Sequence, residues 1–338
     1  MEKIRWGTLS TGYIANLFAE GLSAVADADL VAVGSRNRET ADAFGDKWDV
    51  PHRHGSYEAL ANDPDVDVIY VASPHPYHYE HTLLCLNAGK HVLVEKPFAM
   101  NARQAKEMID LAQAKGLFLM EAMWTRFLPA MVQTRRWIAD GEIGDVELVR
   151  ANLSFMAAYN AAGRLFAPEL GGGALLDVGI YPISFAYMIL GSPQTVSSTA
   201  YLGETGTDDR STYTFGYPGG KTALLSSAVR LSVPVEAEVI GTKGYIKLHQ
   251  PWINPRTVTL ARMSQSEASL IFDGNLYDTQ TVHVPTQGNG YNYEAVEVGA
   301  CIRAGKQESD LMSLSESLDI METMDLIRAQ WGLTYPNE

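Results

Sequence analysis

From Ile4 to Met120 the apolar positions fall into short β-branched runs that alternate with stretches of helical period. Ile4–Leu9 reads as a strand. Ile14, Leu17, Phe18, Leu22 and Val25 then recur at spacings that put them on one face of a helix. Leu30–Val33, Val66–Ala72, His91–Val94 and Leu117–Met120 continue the series as strands, with a weaker segment at Pro51–His54. Asn101 stands at a helix N-cap, and Gln104 occupies the capping-box position three residues on. This alternation predicts βαβ units and a mostly parallel, doubly wound sheet.

After Glu121 the pattern changes. Pro129 is placed to open a helix reaching Ile138, and Val146–Phe155 reads as a strand. Thr195 to Val284 is β-rich, with turns marked by Pro218-Gly219-Gly220 and Gly241-Thr242-Lys243-Gly244. Helical periods return at Tyr291–Arg303 and Ser313–Trp331. Strands followed by helices predict an α+β domain whose open, mostly antiparallel sheet carries helices on one face. A chain of 338 residues suits this α/β, two-domain division, since single cores stop growing near ~250–300 residues. The boundary is expected near residue 123, giving domains 1–123 and 124–338.

Composition narrows the partners. The net charge of −14 disfavours nucleic acid, which needs a basic surface, but leaves room for one local basic pocket that takes a dinucleotide. Cys85 and Cys301 have no CxxC or CxxH neighbour and read as buried, inert thiols. No run approaches the ~18 consecutive apolar residues of a membrane span. Met1 to Arg5 lead straight into a strand, so no signal peptide and a cytoplasmic location are expected.

Chemistry first concentrates at Ser10-Thr11-Gly12-Tyr13-Ile14-Ala15, between the first strand and its helix. A G-x-G-x-x-G/A turn needs a tight bend, close approach of backbone to a pyrophosphate, and a small residue where helix meets strand. Gly12 and Ala15 fill the last two places, and Ser10 holds the first, a turn it can make with a negative φ. The helix N-terminus then supplies N–H groups to phosphates. NAD sites place a carboxylate ~20 residues further on, where this chain has Ser35-Arg36-Asn37-Arg38. Guanidinium groups there suit the 2′-phosphate of NADP, with NAD the lesser expectation.

A more specific feature is Glu95-Lys96-Pro97 at the end of the fifth strand, after Ala72-Ser73-Pro74…His78 and Ala88-Gly89-Lys90-His91. With Met120-Glu121-Ala122-Met123-Trp124 and Gly171-Gly172-Gly173-Ala174-Leu175-Leu176-Asp177-Val178-Gly179-Ile180-Tyr181-Pro182, it resembles the Gfo/Idh/MocA oxidoreductases over essentially the whole chain. The C-terminal Glu316…Met321-Glu322-Thr323-Met324…Ile327-Arg328…Trp331-Gly332 is similar to the branch holding dimeric dihydrodiol dehydrogenases and NADP-linked sugar dehydrogenases. That resemblance implies a Rossmann domain, an open-sheet domain that pairs into a homodimer, and a polyol or sugar substrate. It also implies catalysis by Lys96 with a residue of the Asp177-x-x-x-Tyr181 segment. Many members have histidine where this chain has Tyr181, and tyrosine matches the dihydrodiol branch.

Oxidising an alcohol requires removing the hydroxyl proton as hydride leaves, and a phenol with pKa near ~10 is a poor base at neutral pH. An ammonium beside it favours the phenolate, which makes Lys96 and Tyr181 a reasonable pair. Asp177, one helical turn earlier, either orients Lys96, accepts a substrate hydroxyl or caps a helix. The resemblance puts Ser73, Pro74, His75, His78 and Glu95 on the cofactor side. Trp124, Arg126, Phe127, Tyr159, Arg164 and Phe166 are candidates for a substrate pocket, although most aromatics in any chain are core. His75, His78, Glu80 and His81 cluster without the i, i+4 pairing of helical zinc sites, so no metal is expected. Two other outcomes stay open: a nonenzymatic NADP-binding regulator, and reduction of a sugar aldehyde or ketose.

Overall fold

The computed structural model describes residues 3–264, 276–336 and 338. Six parallel strands, Ile4–Leu9 (β1), Ala28–Gly34 (β2), His52–His54 (β3), Val68–Val71 (β4), His91–Glu95 (β5) and Leu119–Ala122 (β6), make one sheet in the order β3-β2-β1-β4-β5-β6. Helices cover both faces, which is why β4 is buried at every position and reads as a continuous apolar run. The strand order reverses between β1 and β4, where open α/β sheets bind ligands beyond the strands' carboxyl ends.

Tyr13–Leu22 (α1), Arg38–Trp48 (α2), Tyr57–Ala61 (α3), His78–Asn87 (α4) and Ala102–Lys115 (α5) are the intervening helices. The Asn101 side chain caps α5 by accepting the Gln104 N–H at 2.9 Å. Gln104 reaches back to the Met100 N–H at 3.1 Å, one residue earlier than a capping box would have it.

The turn from β1 into α1 departs from expectation at Ser10, whose φ is +99° rather than negative. The chain must swing from the strand into a helix beginning at Tyr13, while the Ser10 N–H still donates to the Gly34 carbonyl at 2.9 Å. A side chain held in that region costs about 1–3 kcal/mol, and glycine escapes the penalty.

Pro129–Ala139 (α6) leads into the second sheet: Val146–Ser154 (β7), Thr195–Leu202 (β8), Asp208–Gly216 (β9), Thr222–Ala228 (β10), Ala237–Gly241 (β11), Gly244–Leu248 (β12), Thr257–Met263 (β13) and Tyr277–His283 (β14). Their order is β14-β13-β12-β11-β7-β10-β9-β8, with β7 and β10 parallel and every other pair antiparallel. Buried and exposed residues alternate along β9, as expected when one face meets a core. Ile180–Leu190 (α7) and Leu314–Trp331 (α9) lie on the covered face. Tyr291–Arg303 (α8) packs on α1 and α9 packs on α5, so the C-terminal helices return to the first sheet's helices.

Counting consecutive apolar residues passes over one segment. Pro168–Leu190 has a mean hydropathy of 1.6 across a span-length window, and 83% of that window is buried inside the protein. Its helical part, the Leu175–Gly179 turn running into α7, is buried in the core of the second domain.

Replacing Ser10 by glycine relieves the positive φ but adds freedom to the unfolded chain. The net expectation is stabilisation of about 1 kcal/mol, read as a higher urea midpoint with unchanged m. A lower midpoint would mean that the serine side chain, not backbone conformation, governs this turn.

Candidate active site

Two adjoining clefts open at the carboxyl ends of the parallel strands, and Ser10 and Gly12 border both. The first, about 340 Å³, runs from the Ser10–Ile14 turn past Ser73, Pro74 and His75 to Lys96, Asp177 and Tyr181. The second, about 520 Å³, is bounded by Thr11, Ser35, Arg36, Asn37, Thr40 and Tyr57. A Cβ added at Gly12 would touch only the Ser10 hydroxyl, at 3.7 Å, and otherwise meets open space. That space lets a ligand approach the backbone at the start of α1, whose first turn carries no acidic residue to repel an anion.

Lys96 follows β5, and its Nζ donates to the Asp177 carbonyl at 2.7 Å and lies 3.5 Å from Asp177 Oδ1. The same ammonium sits 5.0 Å from the centre of the Tyr181 ring. Asp177 belongs to a π-helical turn, Leu175–Gly179, that runs directly into α7. Pro182, five residues beyond Asp177, has no N–H to close a π-type bond to that carbonyl. The turn starts where the Asp208 carboxylate accepts the Leu175 N–H at 2.8 Å. Gly173, at φ +116°, makes room for that contact, because a Cβ there would come within 2.3 Å of Asp208 Oδ1.

Charge follows geometry. Burial opposes the Lys96 ammonium, but Tyr181, Asp177 and Glu95 outweigh it and hold its pKa above the usual lysine value. For Asp177 burial is overcome by Lys96 and Arg164, so its carboxyl lies far below the ordinary range. Arg164 Nη1 donates to Asp177 Oδ1 at 2.8 Å. Burial raises the Tyr181 phenol despite the lowering by Lys96, so the ammonium limits the rise without reversing it. The expected lowering is therefore present but is not the larger effect. Glu95, buried under the Tyr70 hydroxyl that donates to it, is pushed up to about 7 by burial, with Lys96 pulling the other way.

With this arrangement in hand, comparison with known proteins decides the family. Residues 4–123 match the oxidoreductase family model with an NAD-binding Rossmann fold, and residues 131–247 match the GFO/IDH/MocA C-terminal domain. Trans-1,2-dihydrobenzene-1,2-diol dehydrogenase of Xenopus tropicalis is 38% identical over 98% of this chain and 99% of its own. The human enzyme of that name is 36% identical, over 99% of each chain. The chain belongs to the Gfo/Idh/MocA family. Among solved structures, aldose-aldose oxidoreductase from Caulobacter crescentus, complexed with glycerol, superposes with a TM-score of 0.85 at 23% identity, over 98% of this chain and 99% of the other. A 3-ketoreductase from Actinomadura kijaniata, solved with NADP and TDP-benzene, gives 0.82 at 23% identity, over 97% and 98%. These two likenesses concern the fold.

In this Gfo/Idh/MocA chain several expected residues stand elsewhere than the sequence suggested. Arg38 turns along α2 to pair with Asp42 at 2.9 Å, away from the second cleft, and Arg36 alone of the two guanidinium groups borders it. Ile14 and His78 border the first cleft, but the His78 ring is fully buried, with Nδ1 2.8 Å from the Pro97 carbonyl and Nε2 2.8 Å from the Ser73 carbonyl. Burial holds its pKa down to about 4 against those carbonyls. As a neutral ring it donates one N–H to one of these carbonyls and is packed between the Lys96 segment and the end of β4. His75 does face the cleft, and burial, with Lys96 nearby, holds its pKa down to about 3, so it is a neutral imidazole.

Of the substrate-pocket candidates, Arg164 borders the first cleft and the others do not. Trp124 stacks on Tyr291 with ring centres 4.9 Å apart, and its indole N–H donates to the Tyr181 hydroxyl at 3.1 Å. It therefore orients Tyr181 rather than lining the cleft. Arg126 is buried, donating to Ser184 Oγ at 3.0 Å, to the Ser184 carbonyl at 2.8 Å and to the Leu311 carbonyl at 3.1 Å, and it pairs with Glu316. It ties the turn after β6 to α7 and α9. Phe127 and Phe166 are core, and Tyr159 packs edge-on against Phe166 under the Arg230 guanidinium. The four residues of the suspected histidine cluster do not converge: His81 Nδ1 lies 2.9 Å from Ser73 Oγ, while His78 is taken up by carbonyls.

Asn37, Thr40 and Tyr57 border the second cleft without having been expected there. Tyr57 meets Arg36 through its hydroxyl, and its ring packs edge-on against His81 at 4.7 Å. Asn37 had a readable signal, because its side chain caps α2 by accepting the Glu39 N–H at 2.7 Å. Tyr57 had none.

Proposed function

We propose that the chain is an NADP-dependent dehydrogenase moving hydride between nicotinamide and a secondary alcohol or carbonyl of a cyclic polyol, a trans-dihydrodiol or a sugar. The observation that carries this reading is the convergence of the Lys96 ammonium, Asp177 and Tyr181 at the end of β5, in a cleft continuous with the Gly12 cradle. The names of the curated relatives, similar over nearly their full length, support the dihydrodiol class. The dinucleotide would lie along the Ser10–Ile14 turn, with its adenosine end among Ser35, Arg36, Thr40 and Tyr57. When bound, it supplies the hydride acceptor or donor.

The chain's own residues then handle the proton. Asp177 fixes the ammonium of Lys96 within reach of the phenol, and Trp124 fixes the phenol's orientation. In the reductive direction Tyr181 or Lys96 donates a proton to the forming alkoxide. In the oxidative direction the same group accepts it. Burial of Tyr181 keeps the proton on the phenol at neutral pH, which favours donation, while the neighbouring cation eases its release.

The direction of the Tyr181 shift sets a pH dependence. Oxidation needs the deprotonated form of a group raised above its usual pKa, so kcat/KM for oxidation should climb with pH into the alkaline range. Reduction should stay level through neutrality. Tyr181→Phe should lose about 10²–10⁴-fold in kcat with little change in cofactor Kd. Lys96→Met should lose activity steeply and move the remaining oxidative limb to higher pH. The double variant should be little worse than either single one. Near-normal turnover by Tyr181→Phe on a diol panel would remove Tyr181 from the proton path.

At the adenosine end no carboxylate pairs with Arg36 among the described residues, leaving it open to a 2′-phosphate. Arg36→Asp should weaken NADP at least about tenfold more than NAD, as read by fluorescence titration. Tighter binding of NAD than of NADP by the unaltered chain would overturn the cofactor assignment.

The uncovered face of the eight-stranded sheet carries exposed Tyr201, Leu224 and Tyr277, and we read that face as the contact of a homodimer. Sedimentation velocity at micromolar concentration should give a species of twice the 37.0 kDa chain mass. A monomer throughout that range would count against the dimer.

A further inference from the structure

β3 is the outermost strand of the first sheet, and residues two apart on a strand face the same side. His52 and His54 thus offer their imidazoles to one face. Asp63, in the turn after α3, brings a carboxylate to the same point: its Oδ2 is 2.7 Å from His52 Nδ1 and 2.8 Å from His54 Nε2. The three donor atoms lie within 4.8 Å of one another. Asp63 is only 4% exposed at its side chain, whereas the rings reach solvent at 37% and 23%. An anion therefore lies at the base of a shallow site walled by two imidazoles.

The surroundings fix this carboxylate. Asp63 Oδ1 accepts the Asp65 N–H at 2.9 Å, and Lys90 Nζ donates to the Val66 carbonyl at 2.7 Å and also to that of Asp63. On the far side of the His52 ring, Asp65 Oδ2 stands 3.9 Å from Nε2. That distance is beyond a hydrogen bond, so Asp65 adds negative charge near the site without holding the ring.

We propose that His52 Nδ1, His54 Nε2 and Asp63 Oδ2 form a three-point site for a divalent transition ion, Zn²⁺ or Co²⁺, with its fourth position open to water. Two imidazoles and one carboxylate select such ions over Mg²⁺ and Ca²⁺, which prefer all-oxygen shells. As they stand, the contacts are hydrogen bonds from two rings to a single oxygen. An ion there replaces two N–H protons and moves each ring nitrogen from 2.7–2.8 Å out to about 3.0–3.4 Å from Asp63 Oδ2, the separation set by metal–ligand bonds of ~2.0–2.1 Å. An edge strand and a turn can open by a few tenths of an ångström through side-chain rotation, without disturbing the core. The site is separate from both clefts, and the His54 carbonyl, which accepts the Ser35 N–H at 3.1 Å, is its nearest backbone link to them. Its role is to fasten the outer strand, not to take part in hydride transfer.

The test uses the untagged full chain, stripped with a chelator and titrated with ZnCl₂ by calorimetry and with CoCl₂ by visible absorption. One equivalent of Zn²⁺ should bind with a Kd on the order of micromolar, with visible bands appearing on Co²⁺ addition. His52→Ala and His54→Ala should each weaken binding at least about tenfold, and the double variant should abolish the Co²⁺ bands. If the alanine variants fail to fold, His52→Gln, which keeps a hydrogen-bond donor toward Asp63, should fold and still lose affinity. Absence of saturable one-equivalent binding would overturn the proposal. So would unchanged binding in the double variant or in His52→Gln. Neither result bears on the cofactor or the catalytic residues.

Discussion

The Lys96 ammonium resting on the Asp177 carbonyl is the contact on which the site depends. It joins the end of a parallel strand in one domain to an irregular helical turn in the other, and each side is shaped for it. On the strand side, the buried His78 ring and the Tyr70–Glu95 contact hold the chain around Lys96. On the helical side, the π-type winding and Pro182 bring a carbonyl and a carboxylate of one residue to the same cation. Asp208, itself buried and pushed up to about 7 by that burial, anchors the start of the turn. Removing the Lys96 ammonium would leave the buried Asp177 carboxylate with Arg164 as its remaining cation among the described residues, in a place that water solvates poorly.

The second constraint is the topology of the first sheet. Only where the strand order reverses can the loops after β1 and β4 part and leave a crevice, and β5 delivers Lys96 beside it. The two clefts meet at Ser10 and Gly12 for this reason. The strained φ at Ser10 lies at this junction, as stored backbone strain often does at ligand-binding turns.

Much of this was legible in the chain. Short continuous apolar runs mark the strands of the first sheet within a residue or two, because both faces are covered and apolar content is not diluted. The family resemblance carried by Glu95-Lys96-Pro97 and the Asp177…Tyr181 segment implied a pairing of residues that the fold brings together. What could not be read depends on partners far away in sequence. Arg126 looks like a pocket cation until Glu316, 190 residues later, is placed beside it. Tyr57, on a short helix, acquires meaning only when the turn between β2 and α2 puts Arg36 in front of it. Whether Ser10 kept a negative φ was a matter of backbone closure, on which side-chain chemistry is silent.

The return of α8 and α9 to α1 and α5 has a consequence for how such a chain can be rebuilt. The dinucleotide-binding half is contiguous in sequence, yet two of its helices are roofed by the last segments of the other half. Cut from its partner, it would bare apolar stripes that nothing else covers, and grafting it onto a foreign substrate domain would fail unless the graft brought its own roof. The two halves thus share a covered surface, and any rebuilding of one must keep the other's terminal helices seated on it.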